Sequence, residues 1–126
     1  MAKKVVYTKQ APEPIGPYSQ AIEANNMVFI SGQIAIQPST GNLLTSNIED
    51  ETRQVMSNLD AILKTSGLTF ANVVKTTIFL KDMNNFPKVN AIYGEHFQQQ
   101  PPARETVEVS RLPKDVNVEI SCIAIR

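Results

Sequence analysis

Arg104, Thr106 and Glu119 place a guanidinium, a hydroxyl and a carboxylate in the last quarter of the chain. Arg104 follows Pro101-Pro102-Ala103 at the head of a strand-like run, where its planar fork can grip a carboxylate through two parallel bonds. It can equally serve as a structural partner of an acid such as Glu119, and the chemistry of the residues weighs the two roles evenly. Glu119 stands between Val118 and Ile120 in an otherwise apolar strand. A carboxylate there must find a partner or accept a raised pKa. Paired, it ties the sheet together; beside a water molecule, it acts as a general acid–base. Alternation sets Arg104 and Thr106 on one strand face. Pairing as a hairpin about Leu112–Pro113 then sets Thr106 opposite Glu119, with Arg104 diagonal to it. The expectation is one polar patch on one sheet face, holding a small carboxylate beside a water.

Other candidates carry weaker signals. Ser31, like Thr106, is a strand hydroxyl of a kind that usually just satisfies one hydrogen bond. Tyr18 follows Gly16-Pro17 where a rigid loop enters a strand, and its default role is packing with a wet phenol tip. Asn90 falls in the middle of a helical segment, where asparagine is a poor helix former; it either caps a loop or faces a pocket. His96 is the only histidine, which speaks against histidine metal clusters and a Ser-His-Asp relay and leaves it as a helix-end residue. The single cysteine, Cys122, lies on the apolar side of the last strand. With no Walker loop, no dinucleotide-binding glycine pattern and no paired cysteines, the chain is expected to work without a cofactor.

The elements that must position these groups follow from periodicity and punctuation. Lys3–Thr8 reads as a short strand, and Ala11–Pro17, with three prolines and a glycine, as a loop. Tyr18–Ala24 and Met27–Gly32 read as a hairpin about Asn25-Asn26. Ile48, Thr52, Val55, Leu59, Ile62 and Leu63 form a helical stripe. Ser46 or Asn47 can cap that helix, Glu49, Asp50 and Glu51 suit its dipole, and Gly67 ends it. Asn72–Lys81 reads as a strand with Val74, Thr76, Ile78 and Leu80 on its apolar side. A second helix runs from about Asn84 to Gln98, with Phe86, Val89, Ala91, Tyr93 and Phe97 available to pack and Pro87 tolerated in its first turn. The order β-β-β-α-β-α-β-β predicts an α+β two-layer sandwich, with five or six strands and both helices on one face. Residues 1–126 are expected to form one domain. The other face, carrying Lys75, Thr77, Thr106, Glu119 and Ser121, is either half-solvated or a subunit interface with sites where chains meet, and the second reading is favoured.

Composition bounds the function class. The chain is 42% apolar and 19% charged, and twelve basic residues balance twelve acidic ones, so overall charge gives no reason to expect nucleic-acid binding. One cysteine fits a reducing compartment, and Met1–Thr8 lacks the apolar stretch of a secretory signal. No run approaches the roughly 20 apolar residues of a membrane span. A cytoplasmic protein is expected.

Several segments stand out when taken in order. They are Ala11-Pro12 with Ile15-Gly16-Pro17-Tyr18-Ser19-Gln20-Ala21, then Ser31-Gly32-Gln33-Ile34, Val74-Lys75-Thr76-Thr77-Ile78-Phe79 and Phe86-Pro87-Lys88-Val89-Asn90. Pro102-Ala103-Arg104, Leu112-Pro113-Lys114-Asp115-Val116 and Val118-Glu119-Ile120 close the series. Together they resemble the Rid family of reactive-intermediate deaminases, the YjgF-type proteins. The resemblance implies a chorismate-mutase-like fold, a homotrimer with interface pockets, and hydrolysis of 2-imino acids or their enamine tautomers to 2-keto acids and ammonia, as a 2-iminobutanoate/2-iminopropanoate deaminase does. Arg104 matches the position that holds the substrate carboxylate, and Glu119 the acid that positions or activates water. Tyr18, Ser31, Gly32 and Asn90 match pocket positions, and Phe86 an apolar wall. Thr106 stands where several members carry cysteine, and Glu105 where the family usually has a small residue. The alternatives are RNA binding, endoribonuclease action or inhibition of translation, and non-catalytic binding of small carboxylates or of a partner enzyme.

Overall fold

The computed structural model describes Ala2–Arg126; Met1, at the head of the segment read as carrying no secretory signal, lies outside the described residues. Six strands form one mixed sheet: β1 (Lys4–Val6), β2 (Ala21–Ala24), β3 (Met27–Gln33), β4 (Val73–Leu80), β5 (Ala103–Glu108) and β6 (Val118–Ile125). Their order across the sheet is β1-β2-β3-β6-β4-β5. Two helices, α1 (Ile48–Thr65) and α2 (Phe86–Gly94), complete the α+β sandwich. Among the described residues, no helix is long and apolar enough to cross a membrane.

Local chemistry explains the elements. Asn25 and Asn26 take φ of 52° and 63°, the left-handed pair that a two-residue hairpin requires between β2 and β3. Asn47 caps α1 by accepting from the Asp50 backbone N–H, and Gly67 follows the helix at φ 75°. The α1 stripe Val55, Met56, Leu59, Ile62 and Leu63 is buried against Val28, Ile78, Leu80, Val118 and Ile120 of the sheet.

Three local expectations are corrected. Val74 is exposed, because β4 pairs Val73 with Ala124 and Lys75 with Ile123, so an extra residue bulges out and Val73 takes the core position. Helix α2 stops at Gly94 instead of Gln98; beyond it the amides of Glu95, His96 and Phe97 reach back three residues, in tightened turns. On that helix Ile92, not Ala91, is buried.

The larger correction concerns the end of the chain. Strands β5 and β6 are not a hairpin, because β4 lies between them, parallel to β5 and antiparallel to β6. The connection arches over the end of β4: the Val109 amide donates to the Leu80 carbonyl, and the Lys81 amide donates to the Asn117 carbonyl. Lys114 and Asp115, at φ 55° and 56°, turn the chain within that arch. Leu112 and Val116 bury themselves with Ile34 and Ile36 in a small second apolar cluster. That burial anchors the arch and distinguishes it from a tight surface turn.

Candidate active site

Register on β4 decides where the predicted residues point. Thr76 lies opposite Arg104 and Ile78 opposite Thr106, so both β5 residues share the helix-covered side with buried Thr76 and Ile78. Phe79 lies opposite Glu119 and Thr77 opposite Ser121, which places Glu119 on the open face. Arg104 and Thr106 therefore do not share a patch with Glu119 within one chain, and Thr106 does not belong to the open face. The groups expected together fall into two clusters on opposite sides of the sheet.

The first cluster surrounds Glu119. Strand β3 pairs Ile30 with Cys122 and Gln33 with Ile120, three steps against two, so the extra residue bulges at Ser31-Gly32. The bulge brings Gly32 so close to Glu119 that a Cβ there would sit 2.2 Å from Oε2 and 2.8 Å from Cδ. Glycine leaves the carboxylate where it stands, and any side chain there would displace it. Ser31 Oγ donates to the Ser19 carbonyl at 2.6 Å, holding the bulge to the incoming loop. Buried Gln20 pins that loop: its amide nitrogen donates to the carbonyls of Thr8 and Pro12, and its oxygen accepts from the Thr8 amide. Tyr18 stands on the loop, half exposed, its phenol oxygen accepting from the Ile15 amide. Tyr18, Ser31, Gly32 and Glu119, with Ile34 and Pro113, line a cleft of about 360 Å³. Burial pushes the Glu119 carboxyl above the ordinary carboxylate range. No hydrogen bond or ion pair holds its oxygens among the described residues.

The second cluster surrounds Arg104. Its guanidinium carbon lies 5.4 Å from the centre of the Phe86 ring and 5.0 Å from that of Tyr93. Nη1 donates to Asn90 Oδ1 at 2.8 Å, which settles what that mid-helix asparagine does. Tyr93 is fixed in turn by a buried 2.7 Å hydrogen bond between its hydroxyl and that of Thr76. Burial is the main cause that raises the Tyr93 phenol pKa. Asn90, Tyr93, Pro102 and Arg104 border a shallow groove. Thr106 sits two residues along the strand, its Oγ1 buried without a partner among the described residues. Tyr93, Thr76 and Gln20 carried no functional signal in the sequence, because each becomes informative only through a contact distant along the chain.

Glu105 has a defined role on the open face. Its carboxylate accepts from Lys75 Nζ at 3.2 Å and from Thr77 Oγ1 at 3.1 Å, and the Lys75 bond is the main cause that holds it below the ordinary carboxylate range. His96 leans on Phe70 at a ring separation of 4.7 Å, and Cys122 is buried, its thiol pushed up to about 12. Among the described residues, no three His, Cys, Asp or Glu side chains gather as a metal ion would require.

Residues 8–126 match the family model described as Endoribonuclease L-PSP. The chain is 54% identical to the RutC family protein PH0854 of Pyrococcus horikoshii, over 98% of each chain. It is 46% identical to the mouse 2-iminobutanoate/2-iminopropanoate deaminase, over 98% of this chain and 92% of that protein. A Rid family protein of Yersinia pestis, YyfA, superposes with a TM-score of 0.95 at 52% identity, covering 99% of this chain and 100% of the other. The chain belongs to the Rid family. Its chorismate-mutase-like fold is that of its solved relatives, and the family includes named deaminases of reactive intermediates. The Escherichia coli structure of TdcF with bound serine also superposes on this Rid chain, with a TM-score of 0.92 at 40% identity over 98% of each chain.

Proposed function

We propose that this Rid protein hydrolyses 2-imino acids and their enamine tautomers, such as 2-aminoacrylate and 2-aminocrotonate, to 2-keto acids and ammonia. The site is completed between subunits of a homotrimer, where the Arg104 cluster of one copy meets the Glu119 cluster of the next. The observation that carries this reading is that each cluster is half a site. Arg104 is braced by Asn90, Phe86 and Tyr93, with donors left for a carboxylate. Glu119 is a carboxyl of raised pKa that no protein group holds among the described residues. A ring of identical copies joins unlike surfaces of neighbours, as two half-sites on opposite sheet faces require. The mouse relative's deaminase name and the serine bound to TdcF support a small amino- or imino-acid ligand.

The chemistry asked of the residues is modest. Arg104 binds the substrate carboxylate and sets the imine carbon against the water beside Glu119. Glu119 takes a proton from that water as its oxygen bonds to the imine carbon and hands the same proton to the nitrogen, which gives a carbinolamine. Glu119 then takes the hydroxyl proton of the carbinolamine and passes it to the nitrogen as the C–N bond breaks, releasing ammonia and leaving the keto oxygen. Thr106, with its unpartnered hydroxyl, lies on the Arg104 side as a hydrogen-bonding group.

The test follows imine disappearance downstream of a threonine dehydratase. Arg104→Ala and Glu119→Gln should each abolish most turnover. Refolding the two variants together at equal amounts should restore about a quarter of parental activity, since a site regains both groups only when each neighbour supplies its intact half. Failure of the mixture to regain activity rules out the shared site. The endoribonuclease description of the family model supplies a second reading; RNA cleavage by the parent chain that is lost in Glu119→Gln would favour it.

A further inference from the structure

Helix α1 carries a carboxylate that neither the helix nor the open face needs. Glu51 is fully buried, although its place in the first turn suggests nothing beyond a favourable charge at the helix dipole. Its two oxygens accept from the Asn117 amide at 2.7 Å, the Asn117 side-chain Nδ2 at 2.8 Å and the Val118 amide at 3.2 Å. A buried carboxylate with all its bonds made to one dipeptide fixes that dipeptide to the helix. The residue after the dipeptide is Glu119.

We infer that Glu51 is a positioning residue for Glu119, holding the start of β6 at the one place where the carboxylate of Glu119 can serve the cleft. This rests on the role of Glu119 proposed above. The oxygens of Glu119 have no protein partner among the described residues, so its backbone decides where they sit. The chain arrives there from an arch containing two non-glycine residues at positive φ, Lys114 and Asp115, a conformation that tends to relax unless its ends are held. One end is held by burial of Leu112 and Val116. The other is held by Glu51, with the Asn117 carbonyl accepting from Lys81 at the end of β4. Glu119 packs against Gly32 on its β3 side, where an added Cβ would lie 2.2 Å from its Oε2. A small slip at Asn117–Val118 therefore moves the carboxylate directly.

Glu51→Gln keeps the side chain's shape but turns one acceptor into a donor facing the N–H groups of the dipeptide. Asn117→Ala removes only the side-chain bond and leaves both backbone bonds, so it remains readable if the first variant does not fold. Two measurements are made on the full assembled protein. In the coupled imine assay, kcat should fall about tenfold to a hundredfold in Glu51→Gln and less in Asn117→Ala, with KM within about twofold because the carboxylate grip lies in the other cluster. In carbon-13 spectra of protein labelled at glutamate carboxyls, the Glu119 resonance, assigned by its loss in Glu119→Gln, should move in both variants while those of Glu105 and Glu23 stay in place. An unmoved Glu119 resonance, or a loss carried by KM with kcat retained, overturns the inference. If the parent chain does not turn over imines, the proposed function fails, and the resonance still decides whether Glu51 places Glu119.

Discussion

Replacing Gly32 by alanine puts a methyl carbon 2.2 Å from Glu119 Oε2, 2.8 Å from Cδ and 3.0 Å from Cγ. Ordinary contact between such atoms needs about 3.5 Å, so the carboxyl group must retreat by roughly 1 Å. The retreat is open to it, because Glu119 faces a cleft and, among the described residues, makes no hydrogen bond that would be broken. Gly32 lies in a strand bulge and does not occupy the left-handed region, so alanine adds no backbone strain and the melting temperature should change by only a few degrees. Catalysis should suffer far more. A misplacement of about 1 Å in a reacting group costs on the order of a hundredfold, about 2.7 kcal/mol of barrier. The coupled dehydratase assay should therefore show Gly32→Ala with kcat about a hundredfold lower and KM little changed, since the proposed carboxylate grip, Arg104, belongs to the other cluster. A variant that keeps parental kcat would refute the role of Glu119, whatever its stability.

Three further outcomes follow from the same geometry. Arg104→Lys keeps the charge but loses the fork shared between Asn90 and a carboxylate, so kcat/KM should fall by about 2–4 kcal/mol, near the loss in Arg104→Ala; steady-state kinetics of the two variants side by side test it. Tyr93→Phe removes the bond to Thr76 but keeps the ring under Arg104, and should cost less activity than Tyr93→Leu, which removes both; reversal of that order would show that the ring does not brace the arginine. Cys122 holds its proton up to about 12 in the folded chain against 9.0 for an ordinary thiol, so the unfolded chain ionises first. Stability contributed by this group is complete below pH 9 and should drain away as pH rises toward 12, by at most about 4 kcal/mol; chemical denaturation at stepped alkaline pH should show a flatter decline in Cys122→Ala.

Much of the architecture was legible in the sequence because local chemistry dictates it. Asn25-Asn26 announces its hairpin, Asn47 its helix start and Gly67 its helix stop, and the α1 stripe points to the core without reference to any other segment. Val74 and Ala91 were misplaced for the complementary reason. A bulge changes face parity by one residue, and a short helix rotates its packed side by little more than one position; both are settled by distant partners. The candidate residues themselves were legible, but their grouping was not. Leu112-Pro113-Lys114-Asp115 has the composition of a tight turn, and only burial of Leu112 and Val116 against Ile34 and Ile36 shows that it is an arch over β4. Glu51 shows the same limit: three acids in a first turn read as a dipole motif, although one of them is turned inward to hold the far end of the chain.

The separation of Arg104 from Glu119 follows from parity on a single strand. Both are registered against β4, Arg104 at Thr76 and Glu119 at Phe79, and three steps along a strand change face. No bulge lies between those two positions to restore the parity. A one-residue slip of β6 would bring Glu119 to the helix side only by turning Val118, Ile120 and Cys122 out of the core, and a slip of β5 would turn Glu105 away from Lys75 and into the apolar layer. Each slip exposes several buried apolar side chains or buries a charge, costs of several kcal/mol against a marginal total stability. The chain cannot join Arg104, the proposed carboxylate grip, to Glu119, the proposed acid–base, by any rearrangement of its own sheet. A second copy, presenting the opposite face, can do so without moving a strand, which is why the mixed-subunit experiment bears on the fold as directly as on the chemistry.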